Sequence, residues 1–223
     1  MTMKDDYTDL YYEIYALMSV EFAFPGYSKN MRKGESPDWH NNAESVGLEV
    51  TRADNKHTGY TKKFFNTYLG KNRKEIPPKK IDGFQGALFY NADDKLYAGS
   101  VGLVYGCRHI RFAVSSLEKK LKLMNGEKFS RFTKNDIYIF VISSILDCDI
   151  SMFLEKCRYI ERAFQYSFSR IFLFDNGSLY SISTVDSSTE MHEFCGEDLK
   201  TFKREAKSLA RQQWADGTPF NLT

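Results

Sequence analysis

Apolar residues recur at spacings of three and four over residues 7–22, where Leu10, Tyr11, Ile14, Leu17, Met18 and Phe22 form a stripe. This predicts an amphipathic helix of about four turns, ended by Pro25-Gly26. It carries two acids, Glu13 and Glu21, and the spacing sets Glu21 on the same side as the apolar stripe. Residues 27–36 are polar and predict a loop or an edge strand. The pattern then switches to period two: Val46, Leu48 and Val50 alternate with Gly47, Glu49 and Thr51, which predicts a strand with Glu49 and Thr51 on one face. A turn at residues 41–44 would fold the chain back and bring Asp38 beside Glu49.

Further along, residues 53–59 predict a loop and residues 60–69 a short helix with Phe64, Phe65 and Tyr68 inside and Gly70 as its cap. Residues 86–90 and 95–101 flank Asn91-Ala92-Asp93-Asp94 and predict two strands and a turn. Residues 111–125 repeat Phe112, Val114, Leu117, Leu121 and Met124 at helical spacing, with Lys119, Lys120 and Lys122 expected outside. Residues 137–142 are apolar without alternation, the pattern of a strand covered on both faces. A long helix is expected over residues 149–168 with Asp149 as N-cap, then a hairpin through Asp175-Asn176-Gly177, where Asn-Gly suits a tight turn. Residues 197–214 close the pattern as a charged amphipathic helix with Leu199, Phe202, Ala206 and Leu209 inward. Helices alternating with strands predict an α/β fold, a mixed central sheet flanked by helices, in a single domain over residues 1–223.

Composition changes this picture little. With 223 residues and 42% hydrophobic content the chain can bury a sizeable core. Thirty-one Lys and Arg against 29 Asp and Glu leave +2, so no overall field selects a partner. The charge is uneven, however. Between positions 56 and 80 stand Lys56, Lys62, Lys63, Lys71, Arg73, Lys74, Lys79 and Lys80 against one acid, Glu75. Such a window suits phosphate contacts, as well as plain solvation. Cys107, Cys148, Cys157 and Cys195 lie far apart, which predicts reduced and mostly buried thiols rather than a disulfide framework or zinc site. The acidic, polar start and the lack of a long apolar run predict neither a secretory signal nor a membrane span, hence a cytoplasmic protein.

The candidate chemistry lies with Asp38 and Glu49. Two carboxylates converging at a strand end suit a hard divalent cation, because Mg2+ takes oxygen ligands and is content with one or two protein carboxylates. An acid in a turn and another in a strand, each paired with a nearby Arg or Lys, is the plain structural alternative. His40 is a further candidate ligand or a surface histidine; His57, His109 and His192 show no metal-like spacing. Gly99, Gly102 and Gly106 lack the spacing of a phosphate-binding loop.

Pro37-Asp38 followed by Glu49-Val50-Thr51 on a strand resembles the PD-(D/E)XK, or restriction-endonuclease-like, nuclease superfamily. The resemblance covers about residues 7–75. It implies a restriction-endonuclease-like core of a helix, a three-stranded antiparallel meander, a crossover helix and a further strand. It also implies Mg2+ or Mn2+ held by Asp38 and Glu49, with a first-helix acid, Glu13 or Glu21, joining them. The sequence departs from the motif at Thr51, where the superfamily usually has Lys, and Arg52, Lys62 or Lys63 would then supply the charge. The implied function is a Mg2+-dependent endonuclease acting on DNA, with Lys56, Lys62, Lys63, Lys71, Arg73 and Lys74 touching phosphates. The alternative is a catalytically inactive member of the same fold that binds nucleic acid or protein. Expected partners are DNA ahead of RNA and a second copy in a homodimer, with no membrane.

Overall fold

The computed structural model describes residues 7–53, 63–82, 84, 86–101, 108–127, 129, 131–141, 150–175 and 177–216, which fall into two compact units, residues 1–53 with 109–223 and residues 54–108. The stretch 7–75 that carries the motif is therefore shared between them.

The first unit is α/β. Helix α1 (Thr8–Ala23) leads into β1 (Arg32–Lys33), β2 (Trp39–Asn41) and β3 (Val46–Ala53). Helix α4 (Arg108–Met124), β6 (Lys134–Val141), α5 (Ile150–Glu161), β7 (Arg170–Asp175), β8 (Ser178–Ser183), β9 (Thr189–Glu193) and α6 (Gly196–Asp216) follow. The strands form one mixed seven-stranded sheet in the order β1-β2-β3-β6-β7-β8-β9. The pairs β1–β2 and β2–β3 are antiparallel, β3–β6 and β6–β7 parallel, and β7–β8 and β8–β9 antiparallel.

Alternation along the central strands divides the core in two. Leu48, Val50, Tyr138, Phe140 and Phe172 pack with Ile14, Leu17 and Val20 of α1 and Phe202 and Ala206 of α6. Ile137, Ile139, Ile171 and Leu173 pack instead with Leu117 and Leu121 of α4 and Phe153 of α5. Helices on both faces explain why β6 reads as an unbroken apolar run. Inside, the Ser19 and Tyr138 hydroxyls are 2.9 Å apart, so the one phenol in the middle of the sheet is satisfied.

The second unit holds a helical segment α2 over residues 63–68, a 3-10 turn at Arg73–Glu75, the short helix α3 (Pro78–Asp82) and the antiparallel hairpin β4 (Gly86–Tyr90) and β5 (Leu96–Val101). Its core is Phe64, Ile76, Phe84 and Leu96. Gly70, at φ +80°, closes α2 as expected, and its N–H donates to the Leu96 carbonyl at 2.7 Å.

Several expectations change. The helix predicted over 149–168 stops at Glu161, because Ser169 N–H already donates to the Asn135 carbonyl at 2.6 Å and draws the chain onto the edge of β6. Phe168 is buried from that loop, not from a helix, while Asp149 lies outside the described residues. Strand β9 is polar and was invisible to periodicity; it exists through its pairing with β8. Of the loop expected at 53–59, Ala53 is the last residue of β3 and the rest is outside the described residues. Cys157 is buried but Cys195 is exposed, against the expectation of mostly buried thiols, and Cys107 and Cys148 are not described.

Gly47 matters through close approach. A Cβ there would stand 2.7 Å from Pro37 Cγ and 2.9 Å from Phe132 Cδ2. Gly47→Ala is expected to lower stability by about 1–3 kcal/mol, as overpacking does, read from urea unfolding. A loss below about 0.5 kcal/mol would show that Pro37 can shift away without cost.

Candidate functional site

The pairing of β2 with β3 ends at Trp39 opposite Leu48, while β3 runs on to Ala53. Asp38 occupies the place where β2 has left. It is nine-tenths buried, and its Oδ2 accepts the Val50 N–H at 2.7 Å. This bond gives the carboxylate a fixed orientation that a turn acid in water would lack.

Glu49 is 1% exposed, facing α4. Its Oε1 is paired with the Lys120 ammonium, whereas Oε2 is buried with no hydrogen-bond partner among the described residues. Burial in the first place, then the neighbouring Asp38, pushes the Glu49 carboxyl from 4.5 up to about 7, against the pull of Lys120.

Glu13 enters from α1. Lys33 Nζ, from β1, stands 2.9 Å from Glu13 Oε2 and 3.8 Å from Asp38 Oδ1, and it donates to the Gly34 carbonyl at 2.9 Å. Trp39, fully buried, donates its indole N–H to the Glu13 carbonyl at 3.1 Å and pins α1 to β2. Burial and the Asp38 charge raise the Glu13 carboxyl, again opposed by its lysine.

The cluster thus holds three carboxylates, Glu13, Asp38 and Glu49, and two ammonium groups, Lys33 and Lys120. At full ionisation one negative charge is in excess in a poorly hydrated space. Proton uptake or a bound cation is the way to relieve it. Among the described residues no three His, Cys, Asp or Glu side chains form a group ready to hold a metal ion as they stand.

The other predicted positions lie elsewhere or play other parts. Glu21 does not point inward: its two carboxylate oxygens accept the N–H groups of Gly26 and Ser28, both at 2.7 Å, and this holds it below the usual carboxylate range although burial works the other way. Thr51 is half-buried on β3. Arg52 turns to α1, with its guanidinium 3.1 Å from Asp9 and 4.8 Å from the Tyr12 ring centre. His40 stacks on Phe132 at 5.6 Å, and His192 lies tilted against Phe194 at 4.9 Å. Lys63, Lys71, Arg73 and Lys74 are exposed in the second unit; Lys56, Lys62 and His57 lie outside the described residues.

No known protein family, related protein or solved structure matches this chain. Its site must be understood from its own residues.

Lys33 and Lys120 are the members that the sequence reading missed. Lys120 was expected outside with Lys119 and Lys122, yet it reaches Glu49. The signal was present: Ala113, Leu117, Lys120 and Met124 follow the same three-four spacing, and the other three are fully buried. Lys120 sits on the shoulder of the buried stripe, with 26% of its side chain exposed.

Proposed function

We propose that this chain is a Mg2+-dependent (or Mn2+-dependent) nuclease of the PD-(D/E)XK, restriction-endonuclease-like kind, hydrolysing DNA phosphodiester bonds. The observation that carries the reading is that Glu49 shares its surroundings with the charges of Asp38 and Glu13, that its buried Oε2 has no hydrogen-bond partner among the described residues, and that Lys120 meets the same carboxylate. The order of helix, antiparallel β1–β2–β3, helix α4 and parallel β6 supports it, since that order is what the resemblance implies.

The donor set is all oxygen and carries excess negative charge, which fits a hard divalent cation. Asp38 and Glu49 would hold it, with Glu13 as the further carboxylate. When bound, the cation supplies Lewis-acid polarisation of a phosphoryl oxygen and acidifies an attacking water. The chain's own groups do the rest. Val50 N–H keeps Asp38 in one orientation; Glu49 loses its proton around neutral pH and offers Oε2. Lys120 provides the positive charge that Thr51 cannot, against charge developing on the phosphate. In this proposal the protein works in the cytoplasm, on DNA ahead of RNA, and a homodimer is compatible with it.

The test is cleavage of plasmid and single-stranded DNA in Mg2+ or Mn2+. Wild type is expected to cut, and Asp38→Ala to leave the same substrates intact; equal cleavage by both would overturn the assignment. A second reading, a non-catalytic member of the fold that binds nucleic acid or protein, is favoured by the way Lys33 and Lys120 already neutralise most of the acidic charge. Calorimetry separates the two: Mg2+ binding that disappears in Glu49→Gln supports the nuclease, and DNA binding without metal affinity supports the second reading.

A further inference from the structure

The second unit is small, yet it displays large apolar side chains on its surface: Leu69 is 58%, Phe89 44% and Tyr97 60% exposed. Phe89 and Tyr97 stand on the two strands of one hairpin, where Phe89 faces Ala98, the neighbour of Tyr97. The strands' inward residue, Leu96, already fills the core with Phe64, Ile76 and Phe84. Among the described residues neither outward ring belongs to this core, and both expose large parts of their surface.

The unit carries more cations than acids. The described residues of the unit include Lys63, Lys71, Arg73, Lys74, Lys79, Lys80 and Lys95 against Glu75, Asp82, Asp93 and Asp94. One of those acids, Glu75, is occupied in accepting the Asn72 N–H at 2.8 Å. The segment around residue 72 lies alongside β5 through the Asn72–Lys95 bridge and the Leu96 N–H to Lys71 carbonyl bond of 2.9 Å. Lys71 and Arg73 are thereby placed next to the hairpin; the Arg73 guanidinium lies 5.3 Å from the ring centre of Tyr90, which packs on the core side of β4, so Lys71 is the cation left for the outward side.

Positive charge follows a phosphate backbone, and exposed rings give bases a surface on which to stack. Bases within a duplex are stacked on one another and offer no face to a protein ring, so this combination selects unpaired strands. We infer that the hairpin face of the second unit binds single-stranded nucleic acid, with Phe89 and Tyr97 as stacking platforms and Lys71 and Lys74 as phosphate contacts. The inference rests on the nuclease proposal only in taking that strand as the substrate; the binding itself does not depend on it.

The experiment is fluorescence anisotropy of the full chain in EDTA, where no cleavage intervenes. The probes are labelled oligo-dT and oligo-rU of about 20 nucleotides, longer than the roughly 4–16 nucleotides a small single-strand site covers, and a mixed-sequence duplex. Oligo-dT or oligo-rU is expected to bind about tenfold more tightly than the duplex, and the comparison of the two strands tells DNA from RNA. Tyr97→Ala and Phe89→Ala are each expected to weaken binding by about 5- to 100-fold, with Tyr97→Phe near wild type. Lys74→Ala is expected to flatten the salt dependence by about 0.7 in log-log slope. Melting curves of these surface variants verify that the fold is kept.

Equal affinity for duplex and single strand, or full affinity in both alanine variants, overturns the inference. Failure to bind any oligonucleotide at low salt also overturns it and marks the aromatic face as a protein contact. Binding through Tyr97 by a chain that cuts nothing defeats the nuclease proposal alone. Plasmid cleavage by a chain in which neither ring affects binding defeats this inference alone.

Discussion

Lys120→Met is expected to lower Mg2+-dependent cleavage by about 10²–10³-fold, the range seen when one preorganised stabilising donor is removed from a site. Methionine keeps the length and the apolar stem of the side chain and removes only the ammonium that meets Glu49. The same change acts on the fold in a way that depends on pH. Glu49 would keep the repulsion of Asp38 and Glu13 and lose the attraction of Lys120, so its carboxyl would move further up from about 7. Near pH 5 Glu49 is protonated with or without Lys120, and the variant should unfold at almost the wild-type urea concentration. Above pH 8 wild type holds the ionised carboxylate against Lys120, whereas the variant must keep it protonated or leave it uncompensated. Stripping one partner from a buried pair costs about 3–5 kcal/mol when the remaining charge stays, and proton uptake reduces that figure. Urea unfolding at both pH values measures it. Lys120→Arg restores a cation and should recover part of the activity, which a loss caused by misfolding alone would not allow.

Glu49→Gln is expected to abolish cleavage and Mg2+ binding while making the protein more stable at neutral and alkaline pH. The folded-state carboxyl is raised from 4.5 to about 7 by burial and by Asp38. A group raised in this way favours the folded state fully below pH 4.5, and that advantage is lost as pH climbs through 7. At about 1.4 kcal/mol per pKa unit the loss is on the order of 3 kcal/mol. Glutamine has no proton to gain or lose, so the difference in melting temperature between variant and wild type should be small at low pH and widen up to neutrality. The Lys120 ammonium left behind is partly exposed and can turn to water. A constant difference across this range would show that Glu49 is not the titrating group. In the proposed function the same linkage would govern the metal: below pH 7 a cation would have to displace the Glu49 proton, so Mg2+ affinity is expected to rise with pH and level off above it. Calorimetry in buffers of different ionisation enthalpy would detect the released proton.

How much of this was legible beforehand differs from element to element. The existence of helices α1, α4 and α6, the doubly covered β6 and the β7–β8 hairpin followed from apolar spacing and from turn chemistry, but the buried face of α1 did not: Tyr15, Ala16, Ser19 and Val20 are buried there, whereas Phe22 of the expected stripe is 49% exposed. These features are local: a three-four or period-two pattern states which side of an element must be buried, whatever covers it. The end of α5 was misjudged because Ile160, Ala163, Phe164 and Phe168 continue a helical spacing, although Phe168 is buried from a loop. Polar β9 left no mark on the pattern, since an edge strand is made by its neighbour's hydrogen bonds.

The sequence by itself determined an α/β chain in which Asp38 precedes a strand that carries Glu49. It also contained, unread, the helical spacing that turns Lys120 inward. Only the tertiary structure decided that Glu13 and not Glu21 joins these acids, that Arg52 is committed to Asp9 and Tyr12, and that Lys33 and Lys120 are the cations of the cluster. Glu49 and Lys120 are 71 positions apart. Periodicity records the burial of one element at a time, whereas the meeting of two charges is set by strand register and helix placement between segments distant in sequence.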